Sequence, residues 1–191
     1  MTRAHLIDGW RIDISIRDGV PSLLPRTAIA RTVAAALRAA GAPSPASLSI
    51  VLTDDEELAA LNETHLGHQG ATDVLSFPLL PPDAFPPHVG REGGRTAAGA
   101  GLSAAAFVLP PRRRVHLGDI AVSIERAVAQ AEAGLGGQTG DVRWSATDEL
   151  RLLLTHGTLH ICGWDHAEPA EQAAMRALEN ELRRRPGPRQ S

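Results

Sequence analysis

The sequence is poor in cysteine, in aromatic residues and in long apolar runs. Among its 191 residues there is one cysteine and no tyrosine, and 3% of the chain is aromatic. A single cysteine excludes an internal disulfide framework and favours a reducing compartment. No apolar run has the length or the flanks of a signal peptide or a membrane span. We therefore expect a cytoplasmic protein with no membrane partner.

Lysine is also missing, since all 19 basic residues are arginine. The net charge of −3 argues against a protein that coats nucleic acid through bulk electrostatics. It leaves room for local patches, and arginine binds phosphate through two parallel hydrogen bonds. With 43% hydrophobic residues, the length predicts a single globular domain over residues 1–191.

Apolar periodicity predicts about four strands and five helices. The strands are expected at 11–16, 48–52, 73–77 and 115–123. Helices are expected at 25–41, after a cap at Thr53, at 124–133, after a cap at Thr147, and at 169–184. Residues 79–114 contain six prolines and a Gly/Ala-rich middle, which predicts a flexible insertion.

Three of the eight histidines lie within eleven residues near the end of the chain. His156 and His160 are four residues apart, so on a helix their side chains share one face. Gly163 can end that helix in a left-handed cap, after which His166 can return from a loop. Three imidazoles leave one tetrahedral position of a Zn²⁺ ion open for water, which is the pattern of catalytic sites. The spacing predicts one catalytic Zn²⁺ per chain.

Cys162 is the alternative ligand in this stretch. It follows His160 by two residues, about 200° round the helix at 3.6 residues per turn. We therefore expect it to face away from the metal as a small buried core residue.

The spacing H-x-x-x-H-x-x-G-x-x-H also occurs in a large class of zinc proteases, where the residue after the first histidine is the glutamate general base. Here that residue is Gly157, so peptide hydrolysis by that mechanism is disfavoured. A glycine could instead leave space beside the metal for a phosphodiester. The zinc-bound water would then be the nucleophile, with the general base unassigned. Asp165 either orients an imidazole from the second coordination sphere or caps the turn.

Residues 156–166 read H-G-T-L-H-I-C-G-W-D-H, which resembles the H-G-x-L-H-L-x-G-Y-D-H signature of the YbeY family of bacterial zinc-dependent endoribonucleases. Two further stretches agree in order. Leu61-Asn62 followed by T-D-V-L-S-F-P at 72–78 resembles the family's L-N…T-D-V-L-S-F-P, and 117–120 resembles its L-G-D-I. The likeness extends from about 48 to 182.

The resemblance implies an α+β fold, with a small mixed sheet flanked by helices and a metal-binding helix-turn at one end of a cleft. It implies that His156, His160 and His166 bind zinc and that the 72–77 strand lines an RNA cleft. The expected activity is cleavage of single-stranded RNA in ribosomal RNA maturation (16S 3′ end) and ribosome quality control. Its partners would be an rRNA precursor and the ribosome or a ribosomal protein. The candidate RNA-contacting residues are Thr72, Asp73, Ser76, Arg112, Arg113 and Arg114.

One departure from the family is at 65–67, where Tyr-Arg-Gly is usual and that arginine is thought to face the active site. Here the residues are His65-Leu66-Gly67. Either Arg112–Arg114 or His68 replaces the missing cation, or cleavage is weak. The alternative function is therefore a ribosome-assembly factor that binds RNA or a ribosomal protein and cuts poorly. A zinc amide hydrolase is a lesser alternative, disfavoured by Gly157.

Overall fold

A computed structural model describes residues 2–67, 70, 72–89, 114–134 and 144–184. These residues form one five-stranded sheet and five helices. The strands are β1 (Arg3–Ile7), β2 (Trp10–Ile16), β3 (Ala46–Thr53), β4 (Val74–Pro78) and β5 (Val115–Ser123). The helices are α1 (Arg26–Ala39), α2 (Asp55–Leu66), α3 (Ile124–Glu132), α4 (Ala146–Ile161) and α5 (Pro169–Arg184).

The sheet is mixed, with strand order β1-β2-β3-β5-β4. The central strands β2, β3 and β5 run parallel, while β1 and β4 are antiparallel edge strands. The predicted α+β class is thus confirmed, with one strand more than expected. The additional strand, β1, pairs with β2 across a tight turn at Asp8-Gly9, where φ is 49° and 89°.

The main core lies on one face of the sheet, under α1 and α4. Alternate residues of β3 and β5, such as Ile50 and Ile120, are buried there against Leu37 of α1 and Leu154 of α4. This alternation follows from the two-residue period of a strand. The core therefore fixes α4, the helix of the predicted metal site, directly against the sheet.

The opposite face of β4 and β5 is covered by α2. Ala121, between two core residues of β5, packs there with Leu58 of α2 and Leu75 of β4 in a small separate cluster. Helix α2 begins after Asp54, whose carboxylate accepts from the Glu57 N–H, so Thr53 is the last residue of β3 and not the predicted cap. Both faces of β4 are therefore packed, which holds this edge strand beside α4.

The first part of the predicted insertion, residues 79–89, is packed onto the fold. A single 3-10 turn spans Pro82–Ala84, and the ring of Phe85 is buried in the main core. Residues 90–113, which make up most of the insertion, lie outside the described residues. The single-domain prediction and the flexibility of that segment stay predictions.

Within the described ranges, no helix combines the length and apolar character needed to cross a membrane.

Candidate metal centre

Helix α4 carries two of the predicted ligands and begins at a capping box. Ser145 is the N-cap: its hydroxyl accepts from the Asp148 N–H, and the Asp148 carboxylate accepts from the Ser145 N–H. The predicted cap, Thr147, lies in the first turn instead. Ser145 takes the cap because its backbone is extended, with φ −104° and ψ 159°, where the helix begins.

Gly157 is where α4 comes closest to the sheet. A β-carbon built on it would lie 3.0 Å from methyl groups of Ile120 and Val74 and 3.1 Å from the Ser76 hydroxyl oxygen. The Ser76 hydroxyl donates to the Gly157 carbonyl at 3.1 Å. The expectation of open space for a phosphodiester at this glycine is therefore wrong. Gly157 is small because the helix packs closely on β4 and β5.

The three predicted ligands meet at the C-terminal end of α4. One imidazole nitrogen from each histidine lies within 4.8 Å of those of the other two, and Nε2 of His156 is 3.1 Å from Nε2 of His160. In a tetrahedral site with Zn–N bonds of about 2.05 Å, two ligand nitrogens are about 3.3 Å apart. The side chains of His156, His160 and His166 thus have the donor set and the convergence that one metal ion needs.

The turn after α4 brings the third histidine back. Gly163 has φ 83°, the left-handed conformation predicted for it. The Trp164 N–H donates to the Leu159 carbonyl, which closes the helix end in a Schellman-type turn. The chain reverses there, and the ring centroid of His166 lies 4.6 Å from that of His160.

The electrostatics of this helix end suit a neutral metal ligand. Burial, together with the adjacent His156 and His166 rings, lowers the pKa of His160 to about 4. Its imidazole is therefore neutral near pH 7 and has a free lone pair. Cys162 is buried in the main core, as predicted, and burial raises the pKa of its thiol to about 12. A thiol with that pKa does not compete as a thiolate ligand.

A glutamate on α5 orients the first ligand. Nδ1 of His156 lies 2.7 Å from Oε1 of Glu179, whose side chain is 11% exposed. Because an ionised carboxylate only accepts, Nδ1 carries the proton and the lone pair is left on Nε2, towards the other two rings. Metal-binding histidines are oriented in this way in many proteins.

Asp165 was expected either to orient an imidazole or to cap the turn, and its contact is that of a cap. Its carboxylate accepts from the backbone N–H of His166 at 2.7 Å. The carboxylate contact to a ligand imidazole is made by Glu179 instead. Asp165 thus fixes the backbone of the third ligand.

A cleft of about 700 Å³ opens in front of the three histidines. The predicted residues Thr72, Asp73 and Ser76 line it. Their polar groups also tie the fold together: Ser76 donates to α4, and the Asp73 carboxylate accepts from Gln130 of α3 at 2.9 Å. The lining also includes Asn62, whose amide donates to the Gly70 carbonyl.

Of the three predicted arginines, the structure describes Arg114, and this residue does not line the cleft. Arg114 directly precedes β5, and its guanidinium donates to the Gly9 carbonyl at the β1–β2 turn. Arg112, Arg113 and His68 are outside the described residues. His65 is exposed and packs edge-on against Phe77. Among the described residues that line the cleft, none is an arginine.

The matching family model is "Endoribonuclease YbeY", which covers residues 19–187. The chain belongs to the YbeY endoribonuclease family. Three curated relatives carry the same name. The protein of Roseiflexus castenholzii is 33% identical over 90% of this chain and 89% of its own, and that of Thermobifida fusca is 37% identical over 90% of each. The protein of Renibacterium salmoninarum is 40% identical over 71% of this chain and 68% of its own.

Among solved structures, the solution structure of TM1509 from Thermotoga maritima aligns with 94% of this chain at 15% identity. Its TM-score of 0.47 is too low to bear on function. Membership of the YbeY family identifies the chain as a nuclease, and hence a hydrolase that acts on RNA. The convergent His156, His160 and His166 can bind the metal ion of such an enzyme.

Two glutamates of α5 at the candidate metal centre are not among the residues that the sequence predicts. Glu171 and Glu179 are on the same side of the helix as the buried Met175, four residues from it in each direction. A charged residue on the buried face of an amphipathic helix is the signal that could have found them. Glu171 is 6% exposed and contacts the loop of the third ligand.

Proposed function

We propose that this YbeY family member is a zinc-dependent endoribonuclease that hydrolyses phosphodiester bonds in single-stranded RNA. It acts in the cytoplasm during ribosomal RNA maturation, at the 16S 3′ end, and its partners are an rRNA precursor and the ribosome or a ribosomal protein. The observation that carries this proposal is the convergence of three imidazoles within 4.8 Å at one end of an open cleft.

The donor set supports zinc as the metal. Neutral imidazoles are borderline-soft nitrogen ligands that suit Zn²⁺, whereas Mg²⁺ and Ca²⁺ prefer oxygen donors. When bound, Zn²⁺ supplies a Lewis acid for a phosphoryl oxygen and makes water a nucleophile near neutral pH. The volume of the cleft, about 700 Å³, is within the usual range of ligand sites.

The chain's own residues hold and orient this centre. Glu179 keeps the proton of His156 on Nδ1, so that Nε2 points to the metal position. Burial keeps His160 neutral. Asp165 fixes the backbone of His166, and Ser76 binds α4 to the strand that lines the cleft. Together these contacts hold the ligands before the metal arrives, which lowers the entropic cost of binding it.

A ribosome-assembly factor with little cleavage is the second candidate. The observation that favours it is that no arginine lines the cleft among the described residues. Charge that develops on a phosphoryl group in the transition state is ordinarily stabilised by a cation or hydrogen-bond donors. Without that cation, RNA could bind in the cleft and be cut slowly.

The test is cleavage of a labelled single-stranded RNA oligonucleotide by zinc-loaded protein, with binding to the same RNA measured in parallel. We expect the wild-type protein to cut the RNA. We expect His160→Ala to lose cleavage and His65→Ala, an exposed histidine outside the centre, to retain it. A chelator should abolish cleavage, and added zinc should restore it.

Two outcomes would contradict the proposal. Equal cleavage by wild type and His160→Ala would show that the metal centre is not responsible. Tight RNA binding without cleavage by either protein would favour the assembly factor. Chelator-sensitive hydrolysis of casein would instead support the amide hydrolase.

A further inference from the structure

The segment after β4 reaches across the fold to the loop of the third histidine. Phe85 is buried in the main core, and Pro86 packs on Gly41, where an added β-carbon would lie 2.8 Å from its ring. His88 then contacts the loop that carries His166, between α4 and α5. This segment is thus anchored at Phe85 and Pro86 before His88 reaches the loop that carries His166.

Glu171 is the residue on which His88 and this loop meet. Its Oε1 accepts from the backbone N–H of Asp165 at 2.8 Å and from Nε2 of His88 at 2.7 Å. The side chains of His88 and Glu171 are 8% and 7% exposed. A carboxylate buried this deeply is costly unless donors satisfy it. Each of the two donors therefore holds the carboxylate in place for the other.

His88 also contacts the loop directly. Its ring stacks on that of Trp164, with centroids 4.0 Å apart and planes 11° from parallel. His88 thus contacts Trp164 at the start of the loop and Glu171 beyond its end. The stretch between them contains Asp165 and His166.

The third ligand depends on these contacts more than the other two do. His156 and His160 are positioned by helix α4, whose backbone hydrogen bonds hold them. His166 is exposed and lies in a loop, after the helix has ended. The position of His166 depends on that of Asp165, the residue before it. The backbone N–H of Asp165 donates to the Glu171 carboxylate.

We propose that His88 and Glu171 form a clasp that positions His166 for metal binding, so that the segment after β4 sets the metal affinity of the site. Both are positioning residues, since neither contacts the metal position. This inference rests on the metal centre of the proposed function. It adds that residues outside the histidine signature control how tightly the centre holds its metal.

Two substitutions at one position separate the hydrogen bond from the stacking. His88→Phe retains an aromatic ring over Trp164 but has no N–H for Glu171. His88→Gln has a shorter planar group but restores an N–H donor. The matched control is His65→Phe, the same change at an exposed histidine on α2.

The first measurement is the Zn²⁺ dissociation constant, by competition with a chromophoric chelator. We expect His88→Phe to weaken binding about tenfold, the lower end of the effect of residues that support metal ligands. His88→Gln should recover most of that loss, and His65→Phe should bind as the wild type does. The second measurement is amide hydrogen exchange over residues 163–167 in the metal-free protein, which should become faster in His88→Phe only.

The inference is overturned if His88→Phe equals the wild type in zinc affinity and in exchange of this loop. Weaker zinc binding with unchanged exchange would also overturn it, because the effect would not pass through the loop. If the wild-type protein binds no zinc, the proposed metal centre fails, and this inference fails with it. If the wild type binds zinc and His88→Phe leaves both the zinc affinity and the amide exchange unchanged, only the role of His88 and Glu171 is disproved, and the metal centre stands.

Discussion

Glu179 and His156 are on different helices, and Oε1 of the first lies 2.7 Å from Nδ1 of the second. This contact joins α5 to the candidate metal centre at the C-terminal end of α4. It fixes which imidazole nitrogen carries the proton and therefore which one can bind a metal.

Replacing Glu179 should weaken metal binding. We expect Glu179→Ala to raise the Zn²⁺ dissociation constant about 10- to 100-fold, as is typical when a residue that orients a metal ligand is lost. Glu179→Gln should give a smaller loss, because an amide oxygen still accepts from Nδ1 but carries no charge. Competition with a chelator measures both, with the exposed Glu63→Gln on α2 as control. Unchanged affinity in Glu179→Ala would remove its orienting role.

Zinc should stabilise the folded protein through the three histidines. A ligand that binds only the native state adds about 2.7 kcal/mol at roughly 100 times its dissociation constant. We therefore expect zinc to raise the melting temperature of the wild type and of His65→Ala. His160→Ala should show no such rise. Thermal denaturation with and without zinc tests this, and an equal rise in His160→Ala would place the metal elsewhere.

Gly118 should tolerate no side chain. Its φ is 151°, and a β-carbon there would collide with the Phe77 carbonyl oxygen and lie 2.7 Å from Cδ1 of Ile161. We expect Gly118→Ala to lower the free energy of unfolding by about 3 kcal/mol, from backbone strain and overpacking together.

The matched control is Gly19→Ala. Gly19 also has a positive φ, 83°, but nothing lies within 4 Å of its added β-carbon. Gly19→Ala should lower the free energy of unfolding by about 1 kcal/mol, which is the strain of the left-handed backbone alone. Denaturant unfolding measures both variants. If Gly118→Ala lowers the free energy of unfolding no more than Gly19→Ala does, the collision with the Phe77 carbonyl is relieved by a shift of the neighbouring atoms.

Glu149 should make stability depend on pH. Burial raises the pKa of its carboxyl, and the nearby Asp73 raises it further, against a hydrogen bond from Trp144 that lowers it. Because the pKa of Glu149 is higher in the folded than in the unfolded state, its contribution to the free energy of unfolding is complete when the pH is below its unfolded-state pKa. That contribution is lost as the pH rises through the folded-state pKa.

Glu149→Gln removes this titration and still accepts from Trp144. We therefore expect the stability of Glu149→Gln relative to wild type to increase between pH 4 and pH 7.5. Urea denaturation at several pH values tests this, with Glu63→Gln as control. A difference that stays constant or falls with pH would contradict a raised pKa at Glu149.

Much of the fold follows from short-range pattern. The strands at β2, β3 and β5 and the helix from 169 to 184 are where apolar periodicity predicts them. Strand β1 was missed because its residues are mostly exposed and have little apolar alternation. Asp8-Gly9 is nevertheless a strong hairpin signal that the sequence offers before β2.

The errors concern packing between distant segments. Gly157 was expected to border open space, and it is instead pressed against Val74 and Ile120. Arg114 was expected at the cleft, and its guanidinium instead donates to the Gly9 carbonyl at the β1–β2 turn. Neither contact has a local signature, because in each case the partners are far apart in the chain.

The sequence by itself determined which three side chains converge at the candidate metal centre. The spacing of His156, His160, Gly163 and His166 spans fewer than two helical turns and one chain reversal, where local geometry dominates. Only the tertiary structure decided what supports those ligands: Glu179 behind His156, and Glu171 with His88 behind the loop of His166. Those supports depend on how α5 and the segment after β4 pack against α4, which no local spacing encodes.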